Sequence, residues 1–186
     1  MFRQKHTDSI RRRLSVVLAV CVVAVAGCSP VVNRTEPTID TPVTTPTTSR
    51  EGAEALATEA YKSYLALNDE IASQGGTDPE RLTEVAQGMA LEVIYENMRE
   101  IREAGLRITG STRLQSLDVS DWTDNRISAY VCEDVTLIDL LDQDGHSLVS
   151  AGRVNVTPFE VELERDATTH FLLSERKVWT GKNFCE

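Results

Sequence analysis

Leu56, Ala60, Tyr64, Leu67 and Ile71 recur at three- and four-residue steps, which places an apolar stripe along a helix from about Ala53 to Ser73. Gly75-Gly76 ends that helix. Thr77 and Asp78 offer N-caps for a short second helix, with Pro79 in its first turn, Glu80 at capping-box spacing from Thr77, and Leu82 and Val85 turned inward. Gly88 is expected to break it. Leu91, Ile94, Met98 and Ile101 then form a third helical stripe, and Gly105 stands where a left-handed C-cap residue belongs. Beyond Gly105 the period changes to two. Ile108 to Val119, Arg126 to Leu141, Thr157 to Arg165 and His170 to Trp179 read as strands; in the third, Phe159, Val161 and Leu163 alternate with Glu160, Glu162 and Glu164, giving one core face and one wet face. Asp121 to Asn125, Asp142 to Gly145 and Asp166 to Thr169 supply the turns. Helices first and a meandering antiparallel sheet of about four long strands second is an α+β arrangement.

A different pattern precedes this body. A basic stretch through Arg11-Arg12-Arg13 leads into an apolar run from Leu14 to Ala26, too short for the roughly 20 residues a membrane span needs. The run closes on Val25-Ala26-Gly27-Cys28 and so resembles a bacterial lipoprotein signal. That resemblance implies cleavage before Cys28, a thioether-linked diacylglyceryl group on it, and a place on the outer face of the cytoplasmic membrane. Ser29 to Arg50 carries Pro30, Pro37, Pro42 and Pro46 among seven threonines, with almost nothing able to enter a core. It reads as a disordered tether that reaches at most about 70 Å. The expected organisation is therefore a signal over 1–27, a lipidated Cys28 and tether over 28–50, and one folded domain over 51–186.

Charge narrows the partners. Beyond residue 27 the chain holds 14 Lys and Arg against 28 Asp and Glu. Phosphate backbones need a cationic face, so nucleic acid is excluded as a partner. The membrane partner is expected through the lipid on Cys28 alone.

Cys132 and Cys185 are the two thiols left after Cys28, and an even pair in an exported domain predicts a disulfide. Asp139, Asp142 and Asp144 precede Gly145, as acids do at the start of a calcium loop, but Leu140 fills a ligand place and Arg153 stands where the closing Glu belongs. They read as a turn. His146 and His170 have no metal-ligand spacing, and no nucleophile-elbow motif is present, so neither a cofactor, a metal nor a catalytic residue is expected.

Three N-terminal helices, four long strands, Tyr130-Val131-Cys132 within the second strand and a final Trp179-Thr-Gly-x-x-Phe-Cys185 segment together resemble the nuclear-transport-factor-like, or cystatin-like cone, fold, and within it the small lipoproteins of actinobacteria and their phages. The resemblance implies a curved sheet wrapped around the first helix. Tyr61, Tyr64, Tyr95, Tyr130 and Asp134 are the residues that could line such a cone; ketosteroid isomerases of this fold use a tyrosine and carboxyls there. The expected function is a non-catalytic, surface-exposed binding domain that contacts a protein or envelope component. A carrier of a small apolar ligand, or an isomerase or dehydratase of the same fold, are the alternatives.

Overall fold

The computed structural model describes residues 47–185. The signal, Cys28 and the tether up to residue 46 lie outside them. The chain runs through helix α1 (Arg50–Ser73), a 3₁₀ turn (Pro79–Glu84), helix α2 (Gly88–Ala104) and six strands: β1 (Arg107–Thr109), β2 (Arg113–Trp122), β3 (Arg126–Asp134), β4 (Asp139–Leu141), β5 (Val156–Arg165) and β6 (Phe171–Val178). The α+β class is as the period change predicts. β2, β3, β5 and β6 form a curved, open, wholly antiparallel sheet in that spatial order, and β1 pairs with β4 in a separate two-stranded ribbon.

The helix opens earlier than its stripe suggests. Ser49 caps α1 by accepting the Gly52 N–H, and Thr47, Thr48 and Arg50 fasten the entry to the β2–β3 hairpin. Asp124 accepts the backbone N–H and the hydroxyl of Thr47, the Trp122 indole donates to the Thr48 carbonyl, and Arg50 donates to the Val119 carbonyl. Residues 47–50, assigned to the tether by composition, are thus part of the folded body. Tyr64, Leu67 and Ile71 of the expected stripe are buried, but at the start of α1 the buried side is taken by Ala53, Ala57 and Tyr61, with Ala60 half-buried and Leu56 exposed. Small residues at 53 and 57 let the helix backbone approach the sheet.

The capping box does not form. Asp78 takes a left-handed conformation with no side-chain cap, and the Thr77 hydroxyl turns back to donate to the Gln74 carbonyl. Gly88 is the first residue of α2 rather than a break after a helix, and Gly105 is the left-handed C-cap of α2 as expected.

Two of the expected long strands each break in two. The first is interrupted at Gly110, whose backbone has φ +89° and passes so close to Leu137 that a Cβ there would lie 1.9 Å from the Leu137 carbonyl oxygen. The second is interrupted after Asp134, whose carboxylate accepts the Thr136 N–H and turns the chain away from the sheet. Between α1 and the concave face of the sheet, Ile71, Leu82, Met98, Val119, Ile127, Val131, Val161, Leu163 and Leu173 form one continuous core. Among the described residues no helix is long and apolar enough to cross a membrane.

Candidate functional site: two faces of one sheet

The alternation of β3 decides what each side of the sheet carries. Ile127, Ala129, Val131 and Glu133 point toward α1; Ser128, Tyr130, Cys132 and Asp134 point away. The five residues proposed for a cone lining are therefore not one constellation. Tyr61 and Tyr64 lie on the inner side, stacked at 5.4 Å with their rings tilted by 57°. Tyr130 and Asp134 are on the outer face, and Tyr95 packs half-buried on α2 at the periphery of the core.

The inner side is filled by a charged cluster. Tyr61 donates its hydroxyl proton to Glu133 Oε1. Arg176 answers from β6, with Nε donating to Glu133 Oε1 at 2.9 Å and Nη2 to Oε2 at 2.6 Å, a bidentate pair. The guanidinium also lies 3.6 Å from the centroid of the Phe159 ring. Burial, followed by the Glu133 charge, holds the Tyr61 hydroxyl well above its ordinary range, and burial pushes Tyr64 up to about 12. Both phenols keep their protons at any ordinary pH. Among the described residues, no buried side-chain polar atom lacks a hydrogen-bond partner, so the cluster is a closed network.

At the rim, Asp69 of α1 accepts both the N–H and the hydroxyl of Thr112, which fixes α1 to the start of β2. Burial raises the Asp69 carboxyl, against the two bonds from Thr112. A groove of about 230 Å³ lies between α1 and the β5–β6 turn, lined by Leu56, Ala60, Phe171 and Leu172 among others.

The outer face is built differently. Cys132 and Cys185 form the predicted disulfide, with Cα atoms 5.6 Å apart. It draws the end of the chain back across the sheet: the Trp179 N–H donates to the Pro158 carbonyl, the Trp179 indole to the Lys182 carbonyl, and Gln115 to the Cys185 carbonyl. Gly181 makes this fold-back possible, since a Cβ there would sit 2.5 Å from the indole nitrogen. As a result Tyr130, Trp179 and Phe184 meet edge to face, with centroid separations of 5.4, 5.6 and 6.0 Å. With Ser116 and Asp118 they line an open groove of about 520 Å³. Phe184 remains 43% exposed.

The acids of the expected turns behave as turn residues. Asp142 Oδ1 accepts the N–H groups of Asp144 and His146, and Asp166 Oδ1 accepts those of Thr168 and His170. The His146 backbone bond leads in holding Asp142 low, and the Thr168 hydroxyl in holding Asp166 low. Asp142, Asp144 and His146 do converge, but on an exposed loop.

Glu133 and Arg176 escaped the sequence reading; Phe159 is on the core face as expected, and the disulfide lays the Trp179 segment on the strand of Tyr130, though the packing of the three rings was not foreseen. One signal was present: the parity of Ile127, Ala129 and Val131 puts Glu133 at a core position, where an acid needs a partner.

Comparison with known proteins shows the fold and nothing finer. The intermembrane-space region of the chloroplast protein ARC6 superposes with a TM-score of 0.50 at 18% identity, covering 69% of this chain and 97% of that one. A structure from Catenulispora acidiphila superposes with a TM-score of 0.44 at 15% identity, over 68% of this chain and 93% of that one. No family model and no curated protein matches the chain.

Proposed function

We propose that this chain is a lipoprotein tethered through Cys28 to the outer face of the cytoplasmic membrane, and that its α+β body is a non-catalytic binding module. The nuclear-transport-factor-like reading, and the kinship with small lipoproteins of actinobacteria and their phages, belong to the same proposal. Its partner is a protein or envelope component met by the outer face of the sheet. The observation that carries this reading is the contrast between the two faces. Inside, the space a substrate would need is taken by the Tyr61–Glu133–Arg176 network; outside, a disulfide holds three aromatic rings against water. The carrier reading has less support, because the groove beside Leu56 falls short of the roughly 300 Å³ at which ligand pockets begin, and the larger one beside Tyr130 is open to water rather than enclosed.

A photo-crosslinking amino acid placed at residue 184 in living cells tests the binding reading, with residue 93 on the exposed side of α2 as the control position. A discrete adduct from 184 and none from 93 is expected. No adduct from 184, or the same products from both, refutes the binding face. Metabolic labelling with an alkynyl fatty acid tests the anchor, and label retained by Cys28→Ala refutes it.

A further inference from the structure

The outer face carries a charge pattern that selects among partners. In register, Asp118 stands opposite Tyr130 on β2 and Glu160 opposite Tyr130 on β5, so the central ring of the triad has a carboxylate on each side. Glu162 and Glu164 continue the row along β5, and Glu175 adds to it from β6. Against them the same face presents Arg113, engaged by Asp134, Arg126, engaged by Asp121 and Glu162, and Lys177, which is engaged by Glu175 and stands opposite Glu160 in register. The hydrogen bond from Glu175 raises Lys177, and the charges of Glu175, Glu160 and Glu162 raise it further, the response of a cation in a negative field. Asp118 itself is largely exposed and meets the half-exposed Arg50.

Resting on the reading of this face as a binding surface, we infer that its partner is a Lys/Arg-rich polypeptide segment that lays aliphatic stems over Tyr130, Trp179 and Phe184 and sets its cationic ends against Asp118 and Glu160. Aromatic faces attract cations through the ring quadrupole, and flanking carboxylates add long-range attraction that salt screens. A long basic side chain satisfies both at once, because its stem is apolar and its head charged. The groove is open to solvent, so a polypeptide segment can reach it without any part of the fold moving. An anionic surface is repelled by the same carboxylates.

The test uses the full chain, extracted from membranes in non-ionic detergent and immobilised. Three probes are passed over it: a peptide of about 12 residues alternating Lys or Arg with Leu, the same peptide with Glu at the charged places, and a chitin-type hexasaccharide. The basic peptide alone is expected to bind. Its affinity should fall at least tenfold between about 0.05 and 0.3 M salt, across which the Debye length shrinks about 2.4-fold. Asp118→Asn combined with Glu160→Gln should weaken it at least fivefold, as should Phe184→Ala; all three positions are at the surface, so folding is retained. Binding of the acidic peptide or the saccharide in preference, or salt-independent binding, overturns the inference. If the basic peptide fails while residue 184 still crosslinks to one partner in cells, the cationic class is refuted and the binding face stands. Loss of both refutes the face itself.

Discussion

Arg176→Met removes one member of the buried network while keeping much of its volume. Glu133, whose side chain is 5% exposed, then loses a bidentate partner and keeps only Tyr61. An uncompensated buried charge of this kind costs about 3–5 kcal/mol. The Arg176 side chain is itself 26% exposed, so water reaches part of the vacated space, and the lower end, about 3 kcal/mol, applies. For a body of this size that corresponds to a fall in melting temperature of about 9 °C, at about 3 °C per kcal/mol. The distinguishing measurement is a double-mutant cycle by urea unfolding. Glu133→Gln should cost about 2 kcal/mol, yet Glu133→Gln with Arg176→Met should cost little more than Arg176→Met alone, because the second change neutralises the charge stranded by the first. A coupling of about 2 kcal/mol is therefore expected. Additivity within about 0.5 kcal/mol refutes the claim that the pair is what stabilises this part of the core.

Two further outcomes follow from the outer face and the sheet rim. Cys132→Ser and Cys185→Ser should destabilise by the same amount, up to about 4 kcal/mol for a bond closing a separation of 53 residues, and should release Trp179 and Phe184 from Tyr130, read as a thermal melt and a change in tryptophan emission. Asp134, held down to about 2 by the Thr136 hydroxyl and N–H and by Arg113, should titrate by carboxyl NMR near that value; since its folded range lies below the ordinary 3.8, its stabilising effect is complete above about pH 4 and disappears as pH falls toward 2. Asp134→Asn should remove that part of the acid sensitivity and leave the shape of the stability curve above about pH 5 unchanged.

Much of the body was legible because it is written locally. Period-3.6 stripes, the period-2 switch after Gly105 and the Phe159 to Glu164 alternation each lie within one element. The breaks at Gly110 and after Asp134 were missed because Ile108, Val135 and Ile138 keep strand-like composition across them; what ends each strand is a backbone conformation in one case and a side-chain bond to Thr136 in the other. The Tyr61–Glu133–Arg176 network was illegible for a separate reason. Its members lie 72 and 43 residues apart, and strict alternation from Phe171 and Leu173 would point Glu175 inward. The register shift between β5 and β6 beside Glu162 and Leu163 substitutes Arg176. The aromatic triad depends in the same way on the Cys132–Cys185 bond, which the thiol count predicts, and on the fold-back at Gly181, which it does not.

The way the chain enters the body has a mechanical meaning. Thr47 and Thr48 are tied to the β2–β3 hairpin, and the aromatic groove lies farther along the same strands, with Tyr130 four residues from Arg126, about 13 Å at 3.3 Å per residue. A pull on residue 47 from an anchored leash, opposed by a partner gripping Tyr130 and Trp179, loads β3 lengthwise. Its ladder bonds to β2 and β5 then share the tension in shear instead of unzipping one after another. The sulfur bridge at Cys132 carries the load covalently into the tail. If the leash is anchored and the face occupied as proposed above, the sheet meets that tension in its stiffest direction.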